Sequence, residues 1–347
     1  MEALKENTLH HPPRPVTEPA KSRAKTQTAN EWSTVRKLGF RHLNRFVSLE
    51  PKVLKGDDAD AIHDMRVASR RLQQVFDLIF STPLPREVRR LRRKIRRCRR
   101  ALGEVRNCDV LLQHVGGRLA RKRCSHREAW VAVKQYLQER RSRSFLRATR
   151  KLSKVNLALF YIQSREILDQ LGSAPDRDGG SRASVQPEGS ALVPFVERMA
   201  QSLVGVWTEF EKQVALSHRE STSPTIHGTR ICAKRVRYLL EVVDQFGVRG
   251  SSEALAWLKK IQQHLGDWHD MEVLEDMIVE MIARPEFLRS QLPLALETAK
   301  LILRNRTNKE RFKEKYFQMT LDSPDYQQVK DWVAGLLAAP ATAFKRA

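Results

Sequence analysis

Two segments of this chain repeat each other in order, and that duplication limits the fold more than any other feature. IHDMRVASRR at 62–71 aligns with IHGTRICAKR at 226–235, an offset of 164 residues. ALGEVRNCDVLL at 101–112 aligns with HLGDWHDMEVLE at 264–275, an offset of 163. Two matches in the same order and one indel apart describe a duplicated unit. Within and around them apolar residues recur every three or four positions, and no convincing alternating segment appears, so the unit is helical. Breaks fall near Pro51–Asp58, Ser81–Pro85, Ser217–Pro224, Gly247–Ser252, Arg284–Pro285 and Leu321–Pro324. They delimit four main helices from 31 to 170, four from 191 to 320, and a short one near 325–338. The expected fold is all-α: duplicated four-helix bundles, 31–170 and 191–320, packed about a pseudo-two-fold axis.

The remaining segments read as connections. Residues 1–30 carry Pro12, Pro13, Pro15 and Pro19 among scattered basic residues, too few apolar groups to offset ordering entropy, and are expected to form a flexible tail. Residues 171–190 read as a flexible linker, and 321–347 as a short helix and tail. Arg86 toward Arg123 reads as one long helix, ~55 Å if unbroken at 1.5 Å per residue, with Gly103 or Gly116–Gly117 as points of interruption. No charge-free apolar stretch is long enough for a membrane span. The first residues lack the apolar core of a secretory leader, which points to the cytoplasm. Cysteines 98, 108, 124 and 232 show neither zinc-finger nor paired disulfide spacing and are expected to be reduced thiols, with Cys98 and Cys232 facing the core.

Charge turns the fold toward a function. The chain holds 63 Lys and Arg against 40 Asp and Glu, a net +23. The excess is unevenly placed: residues 31–165 hold 34 basic and 12 acidic residues, whereas 191–333 hold 20 of each. The first half is therefore expected to dominate capture of an anion, with the second shaping the site. In the first repeat Ile62, Met65, Leu72, Val75 and Ile79 form an apolar stripe. His63, Arg66 and Arg70 share another face, beside Arg71. The second repeat keeps the arrangement as His227, Arg230, Lys234 and Arg235, with Arg237 and Tyr238 one turn on. Two similar anion-contacting walls explain this pattern; a solvated helix face kept polar for solubility is the plainer alternative.

The densest patch is REVRRLRRKIRRCRR, Arg86 through Arg100, with ten basic residues against Glu87 alone. Val88, Leu91, Ile95, Cys98, Leu102 and Val105 make its buried stripe, leaving Arg89, Arg93, Arg96, Arg97 and Arg100 among the outward cations. Such crowding of like charge favours an anion as the missing partner. Arg140 and Arg147 belong to a further basic run, and Lys260 to a thinner one in the second half. The Arg86–Arg100 window has no aromatic residue for bases to stack on, and no nucleic-acid motif is apparent. A guanidinium face reads charge rather than base identity, favouring a linear phosphate polymer over a sequence-specific nucleic acid; nonspecific RNA or DNA stays open.

Enzyme readings are weaker. Trp268-His269-Asp270 invites a metal phosphohydrolase reading with His227, His264, Asp267 and Asp270 as further ligands. The aligned positions in the first repeat are Arg106 and Asn107, and arginine is no ordinary metal ligand, so His269 reads better as a phosphate-contacting or structural donor. No phosphate-binding loop or dinucleotide fingerprint occurs. Asp109 and Glu272 align across the repeats and are expected to orient arginines. No catalytic residue, cofactor or resident metal is expected.

The two histidine-led helices and the LGEVRNCDVLL and LGDWHD segments resemble the CHAD family, the conserved histidine α-helical domain, over roughly residues 31–320. The resemblance implies two pseudo-symmetric four-helix bundles around a basic central groove or pore that binds inorganic polyphosphate. It implies that His63, Arg66, Arg70 and Arg71 line one wall and His227, Arg230, Lys234 and Arg235 the other, joined by Arg93, Arg96, Arg97 and Arg100. Arg106 matches the family's arginine after the LG pair, whereas Asn107 departs from its usual aspartate. The resemblance further implies polyphosphate granules as a location and polyphosphate-associated proteins as partners. The ExExK signature of the partner triphosphatase is absent, which leaves a binding module.

Overall fold

The computed structural model describes residues 20–80, 83–171 and 195–338, with side chains from Glu31 onward. The expected linker and the first part of the expected tail lie outside these residues. Every regular element among them is an α-helix: α1 (Ala20–Ser48), α2 (Glu50–Lys55), α3 (Ala59–Ile79), α4 (Arg86–Ala101), α5 (Gly103–Leu119), α6 (Arg127–Leu152), α7 (Leu157–Asp169), α8 (Phe195–Glu220), α9 (Ser223–Gln245), α10 (Ser251–Ile282), α11 (Pro285–Ser290), α12 (Leu292–Gln318) and α13 (Pro324–Ala338). None is long and apolar enough to cross a membrane.

Residues 20–30, expected in the tail, are the first turns of α1. AKSRAKTQTAN is poor in apolar groups but rich in good helix formers, and a helix nucleated downstream extends through such a stretch at little cost. The first half also holds more helices than the four expected, because α2 and α7 add short packing elements. The long basic helix is interrupted at Leu102, where φ −82° and ψ 0° separate α4 from α5. Gly116 and Gly117 lie inside α5 and interrupt nothing.

Apolar spacing decides which faces are buried. On α3, Ile62, Met65, Leu72, Val75 and Ile79 are all at most 1% exposed. The stripe Val88, Leu91, Ile95, Cys98, Leu102 and Val105 is buried to the same degree. Local chemistry fixes the ends: the Asp58 side chain accepts from the Ala61 N–H to start α3, and Thr222 and Thr225 form a capping box for α9.

Two apolar clusters make the core, and neither belongs to one half. The larger draws on α1, α3, α4, α7, α8, α9, the start of α10 and α13. The smaller is built from α5, α6, the second part of α10, and α12. Four long runs pass from one cluster to the other: α4–α5 and α6 from the first half, α10 and α12 from the second. Helical periodicity names the buried face of such a helix but not the partner it is buried against. The aligned acids do equivalent work in the smaller cluster: Asp109 receives Arg141 of α6 at 2.5 Å, and Glu272 pairs with Lys309 of α12.

Candidate functional site

Around the break between α4 and α5, cations from both halves converge. Arg66 and Arg70 come from α3, Arg99 from the last turn of α4, Arg106 from the first turn of α5, and Arg230 and Lys234 from α9. The Arg66 guanidinium donates to the Arg99 carbonyl at 2.5 Å, tying α3 to the α4–α5 break. Arg99 itself donates to the Gln73 amide oxygen at 3.0 Å. Arg70 reaches across the halves to the Tyr238 hydroxyl at 3.0 Å, with its guanidinium 5.9 Å from that ring. The rings of His227 of α9 and His269 of α10 meet at a tilt of 46°, centroids 5.2 Å apart.

The electrostatics are those of a site short of negative charge. Burial and then the charges of Arg70, Arg99 and Arg106 lower the Arg66 pKa to about 10. Arg99, beside Arg70 and Arg96, is lowered to the same value, again first by burial. Burial lowers Arg230 to about 10 even with Asp270 nearby, and its Nε is buried without a hydrogen-bond partner. Lys234 falls furthest, to about 6, through burial and then Arg230, Arg70 and Arg66. Asp270 is the carboxylate that faces this group, and burial raises it to about 6, so even that compensation is partial near neutral pH. Burial, Arg230, His227 and Lys234 lower His269 to about 3, and His63 and His227 are lowered too, burial leading in both. All three imidazoles are thus neutral at pH 7, single donors rather than charges.

The remaining sequence-predicted residues are spread out. Arg71 and Arg237 meet from α3 and α9 on one carboxylate, Glu241, at 2.8 and 3.0 Å. Arg237 also donates to Gln262 at 2.9 Å. They line a cavity of about 440 Å³ with Arg41, His42, Tyr238 and Lys259, adjoining the cluster through Tyr238. Arg89, Arg93, Arg96, Arg97 and Arg100 are exposed along α4. Of these, Arg96 and Arg100 lie near enough for their charges to act on Arg99. Arg147 is exposed on α6 and donates to Ser144 Oγ at 3.0 Å, and Arg235 is exposed on α9.

Two expected contacts are drawn elsewhere. Arg140 is held by Glu104 at 2.6 Å, by the Tyr136 hydroxyl at 3.0 Å and by Glu280, carboxylates that α5 and α10 deliver to it. Lys260 is exposed on α10 and lines a separate cavity of about 460 Å³ with Trp257, Asp325 and Trp332. His264, Asp267, His269 and Asp270 do not assemble a ligand set: among the described residues no group of three or more His, Cys, Asp or Glu is placed to hold a metal ion. Cys98, Cys108 and Cys232 are buried free thiols.

Sequence reasoning left Arg99, Gln73 and Tyr238 out of the site. Tyr238 carried a signal, since His227, Arg230, Lys234 and Tyr238 follow at three- and four-residue steps. Arg99 carried none: in a run of ten cations, only the partner helix picks out those that turn inward, Arg99 toward Gln73 and Arg92 toward Asp77.

A family model described as the CHAD domain matches residues 38–279. The fold superimposes on the crystal structure of the CHAD domain from the plant Ricinus communis with a TM-score of 0.59 and 18% identity, covering 83% of this chain and 90% of that one. PptA from Streptomyces chartreusis aligns with a TM-score of 0.49 and 12% identity, over 86% of this chain and 99% of that one. No curated protein matches the sequence.

Proposed function

Because the chain belongs to the CHAD domain family, which is linked to polyphosphate, we propose that it binds inorganic polyphosphate without chemical turnover. The observation that carries this reading is the convergence of Arg66, Arg70, Arg99, Arg106, Arg230 and Lys234 from both halves around the carboxylate of Asp270. Like charges held this close destabilise the free protein, and successive phosphoryl groups relieve the repulsion at every step. Guanidinium forks take phosphate oxygens in pairs, and the neutral His63, His227 and His269 donate single hydrogen bonds. The exposed arginines of α4 extend the field outward and speed capture, so affinity falls steeply with salt. No nucleophile, base or metal is required. The reading places the protein in the cytoplasm, on polyphosphate granules, with polyphosphate-associated proteins as neighbours.

The test is calorimetric titration with size-defined polyphosphate beside single-stranded RNA at equal phosphate concentration and near-physiological salt. Saturable binding of polyphosphate with much weaker RNA binding is expected. Charge reversal at Arg66, Arg70 and Lys234 is expected to weaken polyphosphate binding by roughly a hundredfold or more, at about 1.4 kcal/mol per tenfold. Equal affinity for RNA reduces the protein to a general polyanion binder, and unchanged affinity in the folded triple variant removes this cluster as the site. Metal-dependent phosphate release that disappears on replacing His269 and Asp270 would establish a hydrolase instead.

A further inference from the structure

Further along α5 from Arg106 comes His114, and Arg118 follows one turn later on the same side of the helix as His114. Arg121 comes next in the closing turn, where its N–H bonds the Arg118 carbonyl at 3.3 Å. The charges acting on His114 are those of Arg118 and Arg121; those acting on Arg118 are Arg121 and, from α12, Arg304, with the Cys124 thiol nearby. No carboxylate is among them. Between His114 and Arg121 lies Gly117, where a Cβ would meet nothing within 4 Å, so the face is open.

A helix C-terminus favours basic residues in its own last turn, and that accounts for Arg118. It does not account for Arg304 arriving from another helix, nor for a half-buried His114 among cations. The end of α5 is moreover already served by Arg127, which donates to the Leu119 carbonyl at 3.0 Å. The corner resembles the central cluster in kind: cations from both halves, here with no ion pair to an acid among the described residues. Twelve residues of α5 separate Arg106 from Arg118, a span of ~18 Å at 1.5 Å per residue.

We propose that His114, Arg118, Arg121 and Arg304 form a second phosphate-contacting subsite for the same polymer, so that the protein selects chains long enough to reach both clusters. This rests on the polyphosphate reading above. A short oligophosphate occupies the central cluster alone. A long chain held there presents its next segment to the corner at high effective concentration, and the second contact adds avidity with no change at the first.

The experiment titrates full-length protein with tripolyphosphate and with long-chain polyphosphate over a series of salt concentrations. The variants are Arg118→Glu/Arg121→Glu/Arg304→Glu and the milder Gln triple, each checked for helix content. Long-chain affinity is expected to fall about tenfold or more and its log–log salt slope to flatten by about two, while tripolyphosphate binding stays unchanged. Unaltered long-chain affinity and slope in a folded variant overturn the proposal. So does equal weakening of both probes, which would report only a lowered overall field. A wild-type protein that binds neither probe fells the underlying reading itself, and the Arg66/Arg70/Lys234 charge reversal, losing both probes, separates the two sites.

Discussion

Lys234 concentrates the chemistry of the site in one residue. Its neighbours are Arg230 on its own helix, Arg66 and Arg70 on α3, and Asp270 on α10, and in this company its pKa stands at about 6. At pH 7 the amine is mostly neutral, and a bound polyanion, adding negative charge, draws a proton onto it. Binding is therefore expected to take up a proton near pH 7–8, read by calorimetry in buffers of different ionisation enthalpy. Lys234→Met abolishes the buffer dependence if this residue is the source; an unchanged dependence assigns the proton elsewhere. The same residue sets a stability trend. Its folded pKa lies below its unfolded value, so between about pH 6 and 10 the unfolded chain holds the extra proton. Ligand-free stability rises with pH there, by at most about 1.4 kcal/mol per unit. Asp270, raised to about 6, works oppositely: the folded chain holds the extra proton between about pH 4 and 6, and stability falls as pH rises through that window. His269, lowered to about 3, counters this over the same window, so thermal denaturation is expected to show its clear trend above pH 6: a midpoint that rises toward pH 9 and flattens in Lys234→Met. Burial among cations moves all three imidazoles below the ordinary imidazole pKa, and leaves the proton switch near neutrality to the lysine.

Between elements, a few polar contacts set how the helices meet. Glu241 takes one guanidinium from each half, Arg71 and Arg237, and its side chain is only 17% exposed. Removing its charge leaves two arginines facing each other in a partly buried place. Glu241→Gln is expected to cost roughly 1–3 kcal/mol, seen as a lower denaturation midpoint with unchanged denaturant slope. An unchanged midpoint would show that the contact holds nothing together. At the other end of α3, Gly56 closes α2 at φ +84°, a conformation L side chains rarely adopt. A Cβ there would run into the Phe145 ring, and the Gly56 carbonyl accepts from Arg141 at 2.8 Å, the residue that pairs with Asp109. Gly56→Ala is thus expected to lower the thermal midpoint and loosen the α5–α6 pairing together. The apolar stripes of α3 and α4 were readable from spacing alone. The Arg140 pairing was not, because Glu104 and Glu280 lie 36 and 140 residues away in sequence.

At the scale of the molecule, both apolar clusters are assembled from both halves. Neither half buries its apolar faces alone, so the two are expected to fold and unfold as one cooperative unit. A protease site engineered between residues 172 and 194 tests this. After cleavage the two fragments should co-elute in size-exclusion chromatography and melt in a single transition. Fragments that separate and stay folded would show two independent bundles. This arrangement also explains why the basic first half and the neutral second half share a site: α3 and α9 bury their apolar faces in the same larger cluster, which brings Arg230 and Lys234 near Arg66 and Arg70.

Much of the protein is written locally. Periodicity determined an all-helical chain and the buried stripes on each helix, because side-chain direction repeats every 3.6 residues whatever lies nearby. The repeated His-x-x-Arg faces determined Arg66, Arg70, Arg230 and Lys234 as candidates for the same reason. What periodicity cannot carry is partnership. That Arg99 turns inward while Arg93 faces solvent, that Arg140 is held by Glu104 and Glu280, and that Lys234 loses its proton near neutrality all depend on charges brought from distant segments. Coulombic and desolvation energies are set by distance in space and by burial, and only the tertiary structure fixes those.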